Sequence, residues 1–235
     1  MASTASSGCT SSSTSLSVRY SGTGPQSRKD PEPTVDSCCL TTDDYRGLSL
    51  GALLDRISAD GLAPGGGSAS ALTVAFAARL VAMVARCSPE WEDAGGVLAQ
   101  ANAIGERAVD LAHTDGRVWE EALVALWDAE LASGDDPRRS FALEQKLEAA
   151  ASAPLEIASL GADVAALAAA VGERCDATYR ADAAAAAALA AGGAAAAAHL
   201  VRVNLGIREA DPRLARAFES EQTARELADG LLETT

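Results

Sequence analysis

From Ala183 to Ala198 the chain runs without a charged or polar side chain, built from alanine with only Leu189 and the Gly192-Gly193 pair interrupting it. Alanine is the strongest helix former, and a methyl-sized helix surface lets a second backbone approach closely. The stretch is uncharged and long, as a membrane span would be, yet alanine is too weakly apolar to drive insertion as leucine does. A close helix crossing is the expected use of it, and a dimer interface is one place for such a seam. Only 4% of residues are aromatic while 48% are hydrophobic, so the core must be assembled from small and aliphatic side chains. Strands, which favour β-branched and aromatic residues, fit poorly. The expected fold is all-α, a helical bundle of long, alanine-rich helices.

The 235 residues suit one domain plus a tail. Residues 1–44 are rich in Ser, Thr, Gly and Pro, lack apolar periodicity, and cannot bury enough surface to offset the entropy of ordering. A disordered tail is expected there, and a helical domain over 45–235. The tail has no acid before Asp30, as in transit peptides, but it has few arginines and no amphipathic pattern. Cys9 lacks the apolar stretch of a secretory signal, and a cytoplasmic protein is expected. Cys9, Cys38, Cys39, Cys87 and Cys175 form an odd set without a CxxC spacing, and His113 and His199 lie far apart. Reduced thiols and no metal are the expectation.

The formal net charge is −14, of which the tail, with three bases and five acids, contributes −2. The remaining −12 on the domain repels phosphate backbones and anionic lipid, which disfavours nucleic-acid and membrane roles. An anionic small substrate would need local positive groups.

Leu50, Leu53, Leu54 and Ile57 recur at helical spacing before Gly61, predicting a short first helix. After the Pro64–Ser68 break, Ala69 to Cys87 reads as a long apolar helix. Trp91 to Ala132 reads as a longer helical pattern, one helix or two, weakened by Gly95-Gly96, Gly105 and Gly116. A further helix from Ser140 towards Gly172 should kink at Pro154. Asp182 is expected to cap the alanine-rich helix, and Asp211-Pro212 to open the last one.

Two features could carry chemistry. Pro64-Gly65-Gly66-Gly67-Ser68 stands where a helix begins, and free amides with the positive dipole end can hold an anion or a carbonyl-like oxygen there. It is neither a Walker motif nor a dinucleotide loop. Its bland reading is a turn with a helix cap, but a glycine triplet opening a buried helix is costly. Asp115 lies among apolar neighbours, Leu111, Val118 and Leu123. Most helical aspartates sit on solvated faces, and His113, two positions away, should point elsewhere, so no dyad is expected.

Taken in order, the motifs resemble the cyclodeaminase/cyclohydrolase family: the C-terminal domain of formiminotransferase-cyclodeaminase and bacterial methenyltetrahydrofolate cyclohydrolases. The likeness rests on Pro64–Ser68 followed by a small-residue helix with Leu80 and Met83-Val84, on Asp115, and on Pro154-Leu155-Glu156-Ile157-Ala158. Asp182, Val203-Asn204-Leu205 and Asp211 continue it, so that it covers about Leu48 to Phe218. Ala181 replaces the serine of the family's Ser-Asp pair, and Glu173-Arg174-Cys175-Asp176 replaces its asparagine-rich approach. Lys146 is the one lysine outside the tail, so Arg79, Arg86, Arg117, Arg180 or Arg202 would have to meet the folate carboxylates.

The resemblance implies chemistry at the one-carbon bridge between N5 and N10 of a tetrahydrofolate. Asp115 would be catalytic, taking a proton from the attacking N10 or water and returning it to the leaving nitrogen. Pro64, the amides of Gly65, Gly66 and Gly67, and Ser68 would hold the pterin or the one-carbon unit, with Asp182 and Asn204 hydrogen-bonding pterin nitrogens. No cofactor beyond the folate substrate and no metal are implied, and a homodimer is. The leading expectation is a formiminotetrahydrofolate cyclodeaminase forming 5,10-methenyltetrahydrofolate and ammonia. Methenyltetrahydrofolate cyclohydrolase on the same site is the alternative. A third reading is a bundle that kept the fold, lost the chemistry and serves as an interaction protein. Ala181 and the scarce lysines favour that reading; the joint presence of Pro64–Ser68, Asp115 and Asn204 opposes it.

Overall fold

Helix follows helix along the chain, with no strand among the described residues: α1 (Leu50–Ser58), α2 (Gly66–Arg86), α3 (Ala94–Leu131), α4 (Pro137–Ala150), α5 (Ser152–Arg174), α6 (Arg180–Leu205) and α7 (Pro212–Glu233), with 3₁₀ turns at Tyr45–Gly47 and Ala177–Tyr179. The computed structural model describes residues 44–59, 64–131, 137–206 and 210–234, all within one unit, Thr41–Thr235. Apart from Asp44, the tail expected over 1–44 lies outside the described residues.

The alanine-rich α6 is the centre of the bundle, packed against α5, α2 and α7. Its partners need small residues at the crossings. A β-carbon on Gly161 of α5 would stand 2.9 Å from the Ala194 β-carbon and 3.0 Å from the Ala190 carbonyl oxygen. One on Gly193 would stand 2.7 Å from Val74 of α2 and 3.2 Å from the Ser70 carbonyl oxygen. The seam is therefore filled within the chain on these sides of α6. Since Gly66 of α2 lies by Leu200 while Ser70 and Val74 lie by Gly193, α2 and α6 run antiparallel. This brings the start of α2 to the end of α6. The core is mostly alanine and valine, with Leu111 and Ile157 the largest wholly buried side chains. A buried methyl gains little alone, so cohesion comes from many close dispersion contacts.

The third segment, read as one helix or two, is one helix of 38 residues, Ala94–Leu131. Other expectations are corrected. The helix around Pro154 is broken rather than kinked: Ala151 separates α4 from α5, which leaves Pro154 in the first turn of α5, where its missing N–H costs nothing inside that helix. Gly66 and Gly67 lie inside α2, with Gly65 as N-cap and no side chain capping it. Asp182 caps nothing; α6 starts at Arg180, and Asp182 is an acid in its first turn. Asp211 does cap α7, accepting from the Arg213 amide at 2.9 Å with proline following it.

By length and composition Gly66–Arg86, Phe141–Arg174 and Ala177–Leu205 could each cross a membrane. In the bundle 61% of the apolar window of the first is buried against other helices, and the second contains the break at Ala151.

Candidate active site

The start of α2 meets the middle of α3 at Gly67 and Asp115. A β-carbon on Gly67 would fall 2.2 Å from Asp115 Oδ2 and 2.3 Å from its Cγ and Oδ1, so the carboxyl occupies the space that any other residue would fill. The glycine is required by this contact. Asp115 is buried, and burial pushes its carboxyl up to about 6, with the Ser68 backbone N–H hydrogen bond opposing the rise. The carboxylate thus serves as the acceptor that α2's N-terminus lacks in its own N-cap, against free amides and the positive end of the helix. It is a carboxyl able to change charge near neutral pH.

Ser68 completes the arrangement from beneath. It is wholly buried, and its hydroxyl donates to the Ala112 carbonyl oxygen at 2.7 Å. With its amide given to Asp115 and its hydroxyl to Ala112, Ser68 positions the carboxyl. Pro64 is buried, Gly65 half-buried and Gly66 exposed, so of the loop Gly65 and Gly66 face outward beside the carboxyl.

Asn204 stands at the same end of the bundle, one turn beyond Leu200, which lies 3.9 Å from the β-position of Gly66. Its Nδ2 donates to the Ala150 carbonyl oxygen at 2.9 Å. That carbonyl is the one whose helical partner would be the N–H of residue 154, which proline lacks. The proline and asparagine motifs are therefore one device. Beside it the Arg213 fork binds Asp211 and reaches Glu148 at 3.1 Å, fastening α7 to the end of α4.

Asp182 is not part of this cluster. It is 22 residues before Asn204 on one straight helix, about 33 Å away at 1.5 Å per residue. Within one chain the two therefore do not meet at a single pterin ring. Asp182 lies instead at the end of the bundle where an open cleft of about 490 Å³ is lined by Gly172, Glu173, Arg180 and Glu226.

Of the arginines, Arg180 belongs to that distant cleft and Arg86 to the far end of α2. Arg79 pairs with Glu106 and Asn102, and Arg117 with Glu121 at 3.0 Å. Arg202, exposed in the last turn of α6 beside His199, stands nearest to the Gly66 end. Among the described residues no group of three or more His, Cys, Asp and Glu could hold a metal.

Tyr45 and His113 are additions that sequence reasoning missed. Their rings stack with centroids 3.9 Å apart, and the Tyr45 phenol interacts with the Ser68 hydroxyl within the field of Asp115. In a chain so poor in aromatics, a tyrosine at the domain's first residue was the available signal.

The fold is similar to that in the crystal structure of a formiminotetrahydrofolate cyclodeaminase from Thermotoga maritima, with a TM-score of 0.66 over 80% of this chain and 93% of that one, at 20% identity. No curated protein sequence matches. The family model for formiminotransferase-cyclodeaminase matches residues 49–224, a span that holds the glycine triplet, Asp115, Pro154 and Asn204, and the chain belongs to that family.

Proposed function

We propose that the chain is a folate one-carbon enzyme, a formiminotetrahydrofolate cyclodeaminase whose proton carrier is Asp115. The observation that carries this reading is the buried carboxyl held against Gly67 and the start of α2, with an ionisation pushed up to about 6. At pH 7 such a group is mostly ionised, yet close enough to ambient pH to accept a proton and release it again.

The formimino carbon on N5, protonated as an amidinium, is attacked by the N10 amine. A C–N bond forms and the C=N double bond becomes a single bond. Asp115 takes the proton from N10 and delivers it to the former imino nitrogen. The C–N bond to that nitrogen then breaks, ammonia leaves, and the methenyl bridge carries the positive charge. Run on a methenyl substrate with water as nucleophile, the same carboxyl would support the cyclohydrolase reaction. Nothing in this sequence needs a metal or a further cofactor. Gly65 and Gly66 line the approach, Asn204 and Arg202 are polar groups at the same end, and Arg202 is the cation that this reading assigns to a folate carboxylate.

We further propose a homodimer. Leu50 and Leu54 of α1, Phe76 of α2, and Leu189 and Val203 of α6 are large apolar side chains left exposed in the single chain, and a second copy is the partner the reading implies. Sedimentation velocity on the full chain checks it; a monomer at micromolar concentration would defeat it.

The enzymatic test follows the methenyl chromophore after mixing the protein separately with formimino- and methenyl-tetrahydrofolate. Its appearance in the first mixture is expected, whereas accelerated loss in the second alone would favour the cyclohydrolase. Asp115→Asn should lower kcat by about 10²–10⁴-fold. The wild-type rate should fall as pH drops through about 6, because the protonated carboxyl cannot accept the N10 proton. Unchanged activity in Asp115→Asn would sink the assignment, and rates no better than buffer in both mixtures would leave the interaction-protein reading.

A further inference from the structure

The turn ahead of α1 is fastened to α3 by more contacts than a connecting segment needs. Arg46 reaches the Glu106 carboxylate at 3.1 Å and Asp110 at 2.9 Å, and donates to the Glu106 carbonyl oxygen at 3.2 Å. Tyr45 lies on His113 with ring planes 25° apart, and its backbone N–H meets His113 Nε2 at 2.8 Å. Asp44 Oδ1 is 3.0 Å from the same nitrogen. That nitrogen accepts from the Tyr45 amide when it carries no proton and donates to Asp44 when it does, so either form keeps the imidazole on the turn. The consequence is a fixed direction for the Tyr45 side chain, whose hydroxyl interacts with Ser68.

We propose that Tyr45 is a further positioning residue of the site: its ring, held on His113 by the 44–47 turn, covers the Asp115–Ser68 pair and keeps water from the carboxyl, while its hydroxyl holds Ser68. The proposal deepens the reading of Asp115 as proton carrier and rests on it. Four groups bear on the phenol. Asp115 and Glu120 come from α3, Arg56 from α1, and the Ser68 hydroxyl from α2, whose first turn carries no charge. Burial raises the phenol itself above its ordinary value. Removing the ring readmits water to Asp115 and takes away much of the burial that raises its ionisation.

The test is a ¹³C NMR titration of the aspartate carboxyls in the full chain, with the Asp115 signal assigned by its loss in Asp115→Asn. The wild-type midpoint is expected near 6. Tyr45→Ala should lower it by about one pH unit or more, and Tyr45→Phe, which keeps ring and stack, should leave it in place. If Tyr45→Ala does not fold, Arg46→Ala loosens the turn without touching the ring and should move the midpoint the same way. A midpoint unmoved in Tyr45→Ala, or moved as far in Tyr45→Phe, overturns the proposal. The two readings fail separately. A shifted midpoint with no turnover of either folate leaves the cover standing and removes the enzyme, whereas turnover with Asp115 titrating at the ordinary value does the reverse.

Discussion

A carboxyl kept out of water for chemistry is a cost to the fold, and at Asp115 the cost has a definite pH dependence. Its ionisation rises from 3.8 to about 6 on folding because burial disfavours the charged form. Between those values the folded chain binds more protons than the unfolded one, so stability falls as pH rises through that window. Above about pH 6 the buried charge costs about 3 kcal/mol, and below about pH 4 nothing. Asp115→Asn keeps the shape without the charge, so it should be more stable than the wild type at pH 7, by on the order of 5 °C in Tm, and no more stable at pH 4. Calorimetry at the two pH values checks this, and equal melting points at pH 7 would mean the charge is not desolvated. Asp115 and the glycine triplet were each legible in the sequence as a motif. That the glycine exists to admit the aspartate was not, since the contact joins residues 48 apart and depends on how α2 crosses α3. The partners of Ser68 were hidden for the same reason: a serine after a glycine loop does not show in sequence that its two donors go to Ala112 and Asp115.

At the scale of elements, helix positions were read well wherever local chemistry decides them, as at Asp211-Pro212, and less well where a tertiary contact decides. The break at Ala151 is such a case. Pro154 removes the donor for Ala150, and the sequence does not say that a side chain 50 residues onward replaces it. Asn204→Ala should therefore leave a poorly satisfied carbonyl and cost about 1–3 kcal/mol. In a Pro154→Ala background the restored N–H can serve Ala150, and the same change should cost less than half as much. Denaturant melts of the four proteins close the cycle, and additive effects would contradict the linkage. The seam of α6 offers a sharper comparison. A β-carbon on Gly193 collides with Val74 and the Ser70 carbonyl, while one on Gly192 meets nothing within 4 Å. Gly193→Ala should cost about 1–3 kcal/mol from overpacking. Gly192→Ala should gain about 0.5–1 kcal/mol from helix propensity. Composition foretold a close crossing here but not which of two adjacent glycines makes it, since that is a matter of helix rotation by about 100°.

For the whole molecule the excess of acids is the dominant fact, 33 against 19 bases, and its effect on the arginines is visible. Arg46 and Arg79 are drawn to Glu106, Arg107 lies on Glu156 at 2.6 Å, and Arg213 holds Asp211 and Glu148. These arginines are engaged by acids, and which cations would meet an anionic folate could not be read from sequence because partner choice is set by the packing of helices. Exposed charges are screened beyond about 10 Å at 0.1 M salt. The repulsion between an acidic surface and the folate carboxylates acts over such distances, whereas a direct Arg202–carboxylate contact acts within a few ångströms and is screened less. Raising potassium chloride from about 10 mM to 0.2 M should therefore lower KM a few-fold with kcat unchanged. Arg202→Gln should raise KM at every salt concentration while keeping the same downward trend. A KM that rises with salt in the wild type would mean that a cationic patch outweighs the net charge at the site. In that case Arg202→Gln should flatten the dependence, and Arg213, which joins α7 to the end of α4, would be the next to test.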